Sequence, residues 1–209
     1  MSMGNIMKSL RDIMRNDEGV NGDAQRIEQI VWMLFLKVYD SQERLWEFED
    51  SNYKSIIPEK FRWRNWAKDN KDGKAMTGEE LENFINNELF PALKDLKVTE
   101  TTPIKQAIVK SVFRDLNNYM KKGTLLRQVT NVIDGIEFTN SAEKHEFGEI
   151  YETMLSELQS AGSSGEFYTP RPVTNFMTEM LAPQLGEKIA DFACGTGGFL
   201  TSALTYLDK

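Results

Sequence analysis

Apolar residues return at steps of three and four along most of this chain. Ile27, Ile30, Val31, Leu34, Phe35 and Val38 fall on one face of a predicted helix, with Asp23 as its expected cap. In "TGEELENFINNELF", Thr77 and Glu80 have capping-box spacing. The helix after them is expected to turn Leu81, Phe84, Ile85 and Leu89 inward and to break at Pro91. Pro103 suits a first helical turn, and Ile104, Ile108, Val112, Leu116 and Tyr119 extend one stripe towards "KKG" at 121–123, a helix-stop signal. A further helix is predicted over 124–134. The most regular stripe is Phe147, Ile150, Tyr151, Met154, Leu155 and Leu158 in "HEFGEIYETMLSELQ". It ends in the small-residue stretch "SAGSSG" at 160–165, read as a hinge or domain boundary. No convincing run of alternating β-branched residues precedes it, so residues 1–160 read as an all-α domain in which 50–76 is largely loop.

After Gly165 the pattern changes. Thr169 is placed to cap a helix with Pro170 at its first position. Val173, Phe176, Met177, Met180 and Leu181 form the apolar face of that helix until Pro183 stops it. "KIADFA" at 188–193 has the length of a buried strand, "CGTGG" reads as a tight loop, and "FLTSALTYL" restarts a helix. Strand, glycine loop and helix are the first half of a βαβ unit. The fold class is therefore mainly α, with an α/β beginning over residues 161–209. A lone strand leaves both edges unpaired. Residues 186–209 are thus expected to be mobile, to pack on the helical part or to pair with another copy, while 1–160 fold well.

Composition narrows the class. A chain of 209 residues, 40% of them hydrophobic, suffices for one or two domains. The single cysteine, Cys194, excludes an internal disulfide framework, and the single histidine, His145, excludes a multi-histidine metal site. No apolar run reaches the length of a membrane span and no signal peptide is evident, so a cytoplasmic protein with no metal is expected. A net charge of -7 opposes the broad electrostatic footprint of an autonomous DNA binder. "FRWRNW" at 61–66 interleaves arginines with aromatics. Packing of Trp63 and Trp66 against helices is favoured over stacking on nucleic acid. Lys121 and Lys122 read as helix-end charge complementarity rather than a DNA contact.

Gly195, Thr196, Gly197 and Gly198 make a loop whose backbone can take positive φ and approach a ligand closely. The helix after it starts with unpaired N–H groups, and the end of a parallel strand is where doubly wound sheets bind cofactors. Asp191, at the strand end, can accept from a cationic amino group or a ribose hydroxyl. Such a loop also occurs as a plain turn. The spacing fits neither the dinucleotide fingerprint nor the phosphate-binding P-loop.

"GEFYTPRPVTNFM", followed by "GEKIADFACGTGGFL", closely resembles the modification subunits of type I restriction-modification systems, which are adenine-N6 DNA methyltransferases. "RIEQIVWMLFLKVYD", "FRWRNWA", "TGEELENFINNELFPALKDL" and "FGEIYETMLSELQSAGSSGEFYTPRPV" resemble their helical N-terminal domain, so the likeness covers essentially the whole chain. It implies a helical domain over 1–160 and the incomplete start of a Rossmann-like methyltransferase domain over 161–209. The implied cofactor is S-adenosylmethionine. Its contacts would come from Glu166, Phe167, Tyr168, Thr169, Pro170 and Arg171, and from Asp191, Ala193, Gly195, Thr196, Gly197 and Gly198. Phe192 departs from the family, where proline commonly follows the aspartate. The implied partners are a specificity subunit, a restriction subunit and double-stranded DNA held by the assembled complex. The family's catalytic Asn-Pro-Pro-aromatic motif is absent, since none of the prolines at 58, 91, 103, 170, 172 and 183 follows an asparagine. No catalytic residue is therefore assigned, and the chain alone is expected to be inactive. The alternative expectation is a helical module that docks subunits and clamps DNA without chemistry of its own.

Overall fold

The stripe running from Ile27 to Val38 is the middle of a long helix, α2 (Gly22–Glu49). The computed structural model describes residues 3–69, 73–136, 169–195 and 197–208. The chain divides into two compact units, Met1–Met154 and Leu155–Lys209. In the first unit α2 is preceded by α1 (Met3–Met14). After it come α3 (Trp63–Trp66), α4 (Gly78–Asn83), α5 (Phe90–Lys94), α6 (Ile104–Phe113) and α7 (Gly123–Asp134). Helix α1 buries Ile6, Met7, Leu10 and Met14, a stripe that sequence reading passed over. Trp32 of α2, with no exposed surface, is the hub of the core. Its ring lies 5.1 Å from Phe90, edge to face, and 6.5 Å from Trp66, stacked, while Phe90 meets Phe113 at 5.4 Å. Such pairs add specificity of geometry to the area they bury.

The arginines of "FRWRNW" face α2. Arg64 donates to Asp40 at 2.7 Å and to Glu47 at 2.8 Å, and Arg62 donates to Glu47 at 3.0 Å. Trp63 and Trp66 are buried between these contacts and the core, as the packing reading expects. Tyr53, ahead of that segment, donates to Glu43 of α2 at 2.9 Å.

Helix α7 is held by charges at three points. At its start the buried carboxylate of Asp17 accepts the N–H groups of Lys121 at 3.0 Å and Lys122 at 2.9 Å, and also that of Gly19 at 2.9 Å. At its end the Lys37 ammonium donates to the Ile133 carbonyl at 2.9 Å and to the Asp134 carbonyl. An anion at a helix start and a cation at its end both favour the helix dipole. In the middle, the buried guanidinium of Arg127 donates to the carbonyls of Ala67 and Met76, each at 2.7 Å, and to Trp66 at 3.3 Å. Burial lowers its pKa, yet an arginine stays charged at any ordinary pH. It closes the ends of the loop between α3 and α4. Gly123 lies so near the start of α4 that a Cβ on it would sit 1.7 Å from the Gly78 carbonyl oxygen. Only glycine fits there.

Several predicted helix limits differ. Helix α2 begins before Asp23, with Asn21 as its cap residue. The Asn21 N–H donates to Gln25 Oε1 at 2.6 Å. The Thr77 side chain makes no capping bond, because Gly78, at φ +58, turns the chain into α4 by backbone conformation instead. Pro91 does not break the helix. A π-helical stretch, Phe84–Leu89, widens the turn just ahead of it and α5 carries on to Lys94. A proline lacks an N–H and crowds the carbonyl four residues back, so a widened turn relieves both conflicts. Helix α6 stops at Phe113, short of Leu116 and Tyr119. The Asn118 amide is committed elsewhere, accepting from Gln29 and donating to Asn86, each at 2.9 Å. Lys121 and Lys122 therefore precede α7 rather than ending α6, and Lys122 pairs with Glu18 at 3.2 Å. The stripe from Phe147 to Leu158, the "SAGSSG" hinge and His145 lie outside the described residues.

In the second unit, α8 (Arg171–Leu181) and α9 (Gly198–Leu207) pack on each other. Residues 188–193 form no strand, and among the described residues there is none. A strand is defined by the ladder it shares with a neighbour, and none of the described residues pairs with this segment. The apolar face expected for α8 exists but points outward, and the side buried against α9 carries Thr174 and Thr178.

Replacing Asp17 by alanine leaves three N–H donors without their acceptor and should lower stability by about 3 kcal/mol, measured by urea unfolding. Tyr53 is pushed up to about 12, first by burial and then by its bond to Glu43. Its unfolded value is about 10, so this contribution is fully present below pH 10 and is lost as pH rises through 12. Absorbance titration at alkaline pH should show one late-titrating phenol disappear in Tyr53→Phe.

Candidate functional site

The two sequence segments expected to share a ligand meet at one side chain. Arg171, the first residue of α8, donates from Nη1 to the Gly198 carbonyl at 3.2 Å and to the Thr201 hydroxyl. It thereby ties the "YTPRP" segment to the glycine turn across 27 residues of sequence. A second polar seam lies beneath it. The Ser202 hydroxyl is within 2.8 Å of both Thr174 Oγ1 and Asn175 Oδ1, and Thr174 Oγ1 donates to the Arg171 carbonyl at 3.1 Å. Sequence reading missed these residues. Their signal was the spacing of Thr174 and Thr178, and of Ser202 beside Ala203, which marks close helix contact by small side chains.

The turn itself is built by conformation. Gly195 and Gly197 have φ of +50 and +75, and a Cβ on either would meet no other atom within 4 Å. Glycine is required there by the backbone angle, and open space is left beside the turn. The Gly197 N–H closes the turn onto the Cys194 carbonyl at 2.7 Å. Helix α9 starts at Gly198, so its first N–H groups lie at the turn. Asp191 lies just ahead of the turn in sequence. Oδ1 accepts the Ala193 N–H at 3.1 Å, while Oδ2 is buried and has no hydrogen-bond partner. A buried carboxylate oxygen without a donor is costly, and a ligand N–H or O–H would relieve it.

Of the residues expected at the site, Arg171, Asp191, Ala193, Gly195, Gly197 and Gly198 are described, together with Thr169 and Pro170, which are exposed at the entry to α8. Pro170 is the cap residue and α8 starts at Arg171, one residue later than expected. Glu166, Phe167, Tyr168 and Thr196 lie outside the described residues. Cys194 is exposed.

Comparison with known proteins gives this geometry its context. The family described as HsdM N-terminal domain matches residues 3–133, and the family described as N-6 DNA Methylase matches residues 142–209. The Escherichia coli EcoEI type I restriction enzyme methylase subunit is 51% identical over 207 residues, covering 99% of this chain and 42% of that protein. The corresponding EcoKI subunit is 25% identical and is matched over 31% of its length. Among solved structures, a modification subunit assigned to a type I restriction enzyme of Vibrio vulnificus YJ016 superposes with a TM-score of 0.87 at 42% identity. That match covers 99% of this chain and 45% of the other. A chain from a structure on complex assembly and conformational transition of the type I R-M system gives 0.76 at 33% identity, covering 98% and 40%. The chain thus spans under half the length of these relatives. Its matching domains and its relatives at high identity make it a member of the type I restriction-modification methylase subunit family, with the HsdM N-terminal domain over residues 3–133.

Proposed function

We propose that this chain is the N-terminal part of a methyltransferase subunit that moves a methyl group from S-adenosylmethionine to adenine N6 in DNA. On this reading residues 161–209 begin the methyltransferase domain and hold one side of the cofactor pocket. Residues 1–160 dock the specificity and restriction subunits and close around double-stranded DNA in a cytoplasmic complex. The observations that support it are the bond from Arg171, in the first proposed cofactor segment, to the Gly198 carbonyl in the second, and the buried, partnerless oxygen of Asp191 in that second segment.

The donor set fits the cofactor. S-adenosylmethionine would supply an activated methyl on a sulfonium sulfur, together with a cationic amino group and ribose hydroxyls. Asp191 Oδ2 would accept from one of those donors. Gly195 and Gly197 would let the backbone approach, and Arg171 would keep the start of α8 against the turn. The contribution of these residues is positioning, since holding two reacting atoms in line removes much of the barrier to their encounter. Glu166 to Arg171, with Asp191, Ala193 and Gly195 to Gly198, form the proposed contact set. No residue of this chain is assigned a catalytic role.

A reading as docking module alone predicts no affinity for the cofactor. Calorimetric titration of the purified chain with S-adenosylmethionine should show binding that Asp191→Ala weakens at least about tenfold, the effect of one lost charged hydrogen bond. Arg171→Ala should weaken it by a comparable factor while leaving thermal unfolding of the first unit unchanged. The chain alone should transfer no methyl group to DNA in a radiolabel assay. Absence of any binding would leave the docking role as the better account, and adenine methylation by this chain alone would overturn the division of labour proposed here.

A further inference from the structure

We propose that Thr174 and Ser202 are positioning residues of the glycine turn, acting on it through Arg171. Both are buried, at 0% and 3% exposed, and neither is among the proposed cofactor contacts. Their bonds run in a closed circuit. Ser202 Oγ stands 2.8 Å from Thr174 Oγ1 and from Asn175 Oδ1, and Thr174 Oγ1 donates to the Arg171 carbonyl at 3.1 Å. The Arg171 guanidinium then reaches the Gly198 carbonyl at 3.2 Å and the Thr201 hydroxyl, and Thr201 adjoins Ser202 in the chain. Thr201 Oγ1 also donates to the Gly197 carbonyl at 2.9 Å, so the circuit includes the glycine that holds φ +75. As a role in cofactor binding this rests on the function proposed above; as a statement about the turn it does not.

The residue types suit setting a position better than filling a core. Alanine or valine at these two places would bury more apolar surface. A hydroxyl adds direction, because its bond holds only over a narrow range of distance and angle. The Thr174 methyl adds a second point of reference. Its Cγ2 lies 3.6 Å from where a Cβ on Gly198 would stand, so Thr174 faces α9 both at Ser202 and one turn earlier at Gly198. Two points one turn apart fix the tilt of α9 as well as its distance. A Cβ on Gly195 or Gly197 would meet nothing within 4 Å, so the turn leans on the start of α9 for its position. Loss of the Thr174 hydroxyl would leave the Ser202 proton with Asn175 as acceptor. What is lost is then the link to Arg171 rather than the contact between the helices.

Two readouts on the whole chain test this: the amide resonances of Gly195 and Gly197 in proton–nitrogen correlation spectra, and the affinity for S-adenosylmethionine. Thr174→Val keeps the shape of the side chain and removes its hydroxyl. That change and Ser202→Ala should each move both glycine resonances and weaken binding about tenfold, the effect of one buried hydrogen bond, with far-UV circular dichroism unchanged. Thr174→Ser, which keeps the hydroxyl, should restore most of the affinity. Thr178→Val makes the same change of hydroxyl to methyl at the buried threonine one turn on, outside the circuit, and should leave both readouts unaltered. Because the action runs through Arg171, Thr174→Val should cost no more than about twofold in an Arg171→Ala background, where independent effects would multiply. Resonances that stay in place, or an undiminished affinity, in Thr174→Val and Ser202→Ala overturn the proposal. An equal response to Thr178→Val overturns it too, as does a Thr174→Val effect as large beside Arg171→Ala as in the unaltered chain. Should the unaltered chain bind no cofactor, the function proposed above is what fails, and the glycine resonances alone decide the role of the two hydroxyls.

Discussion

The first unit is organised by the matching of charge to the ends of α7. A carboxylate from the chain ahead of α2 receives the N–H groups at the start of α7, and an ammonium from the middle of α2 receives the carbonyls at its end. Asp17 and Lys37 thus run in the same order as the two termini they satisfy. Over this stretch α2 and α7 are parallel, an arrangement in which adjacent helix dipoles oppose each other. The two buried charges offset that opposition where it is largest, at the termini. Other elements are positioned from this pair: α1 and α4 pack on α7, Arg127 fixes the loop that brings Trp66 to the core, and Trp63 Nε1 donates to Asp134 at 2.8 Å.

The second unit is governed by different physics. Its two helices are tied by hydroxyls, an amide and a guanidinium, with Ala203 buried among them. Polar seams of this kind fix register well, since a slip would leave buried donors without acceptors. They contribute little burial. The unit holds the glycine turn and Asp191 in place, and among its described residues Ala203 is the one buried apolar side chain. The site therefore has a defined local geometry on a scaffold whose apolar surface is still uncovered.

Much of this was legible in the residues, for reasons that also explain what was not. The stripes of α2, α7 and α8 follow the 3.6-residue period, and glycine at 195 and 197 correctly signalled positive φ. The periodic signal overran at α6, where Leu116 and Tyr119 continue the pattern but the amides of Asn118 are drawn to Gln29 and Asn86. It failed at Pro91, because a fixed period cannot represent the π-helical turn that accommodates the ring. Asp17, Lys37 and Arg127 look like surface charges in sequence, and only the fold shows that each faces a backbone end. The expected strand at 188–193 has the right composition, but strand formation depends on a neighbouring chain segment rather than on composition. The Arg171 junction was hidden because a contact between residues 27 apart leaves no local pattern: a residue singled out as an expected cofactor contact is seen to tie the two motifs together.

The paired anchoring of α7 makes that helix a gauge of fixed length. One residue inserted between Lys122 and Ile133 would advance the C-terminal carbonyls by about 1.5 Å and rotate them by about 100° away from Lys37. A deletion would do the reverse, and an insertion in α2 between Asp17 and Lys37 would mismatch the same two ends. Changes of length in this unit should be tolerated best in connections that carry no such double anchor, such as the turn between Asp95 and Pro103. An added residue there leaves both anchors in register, whereas one added within the α2–α7 pair pulls a buried charge away from the helix end it satisfies.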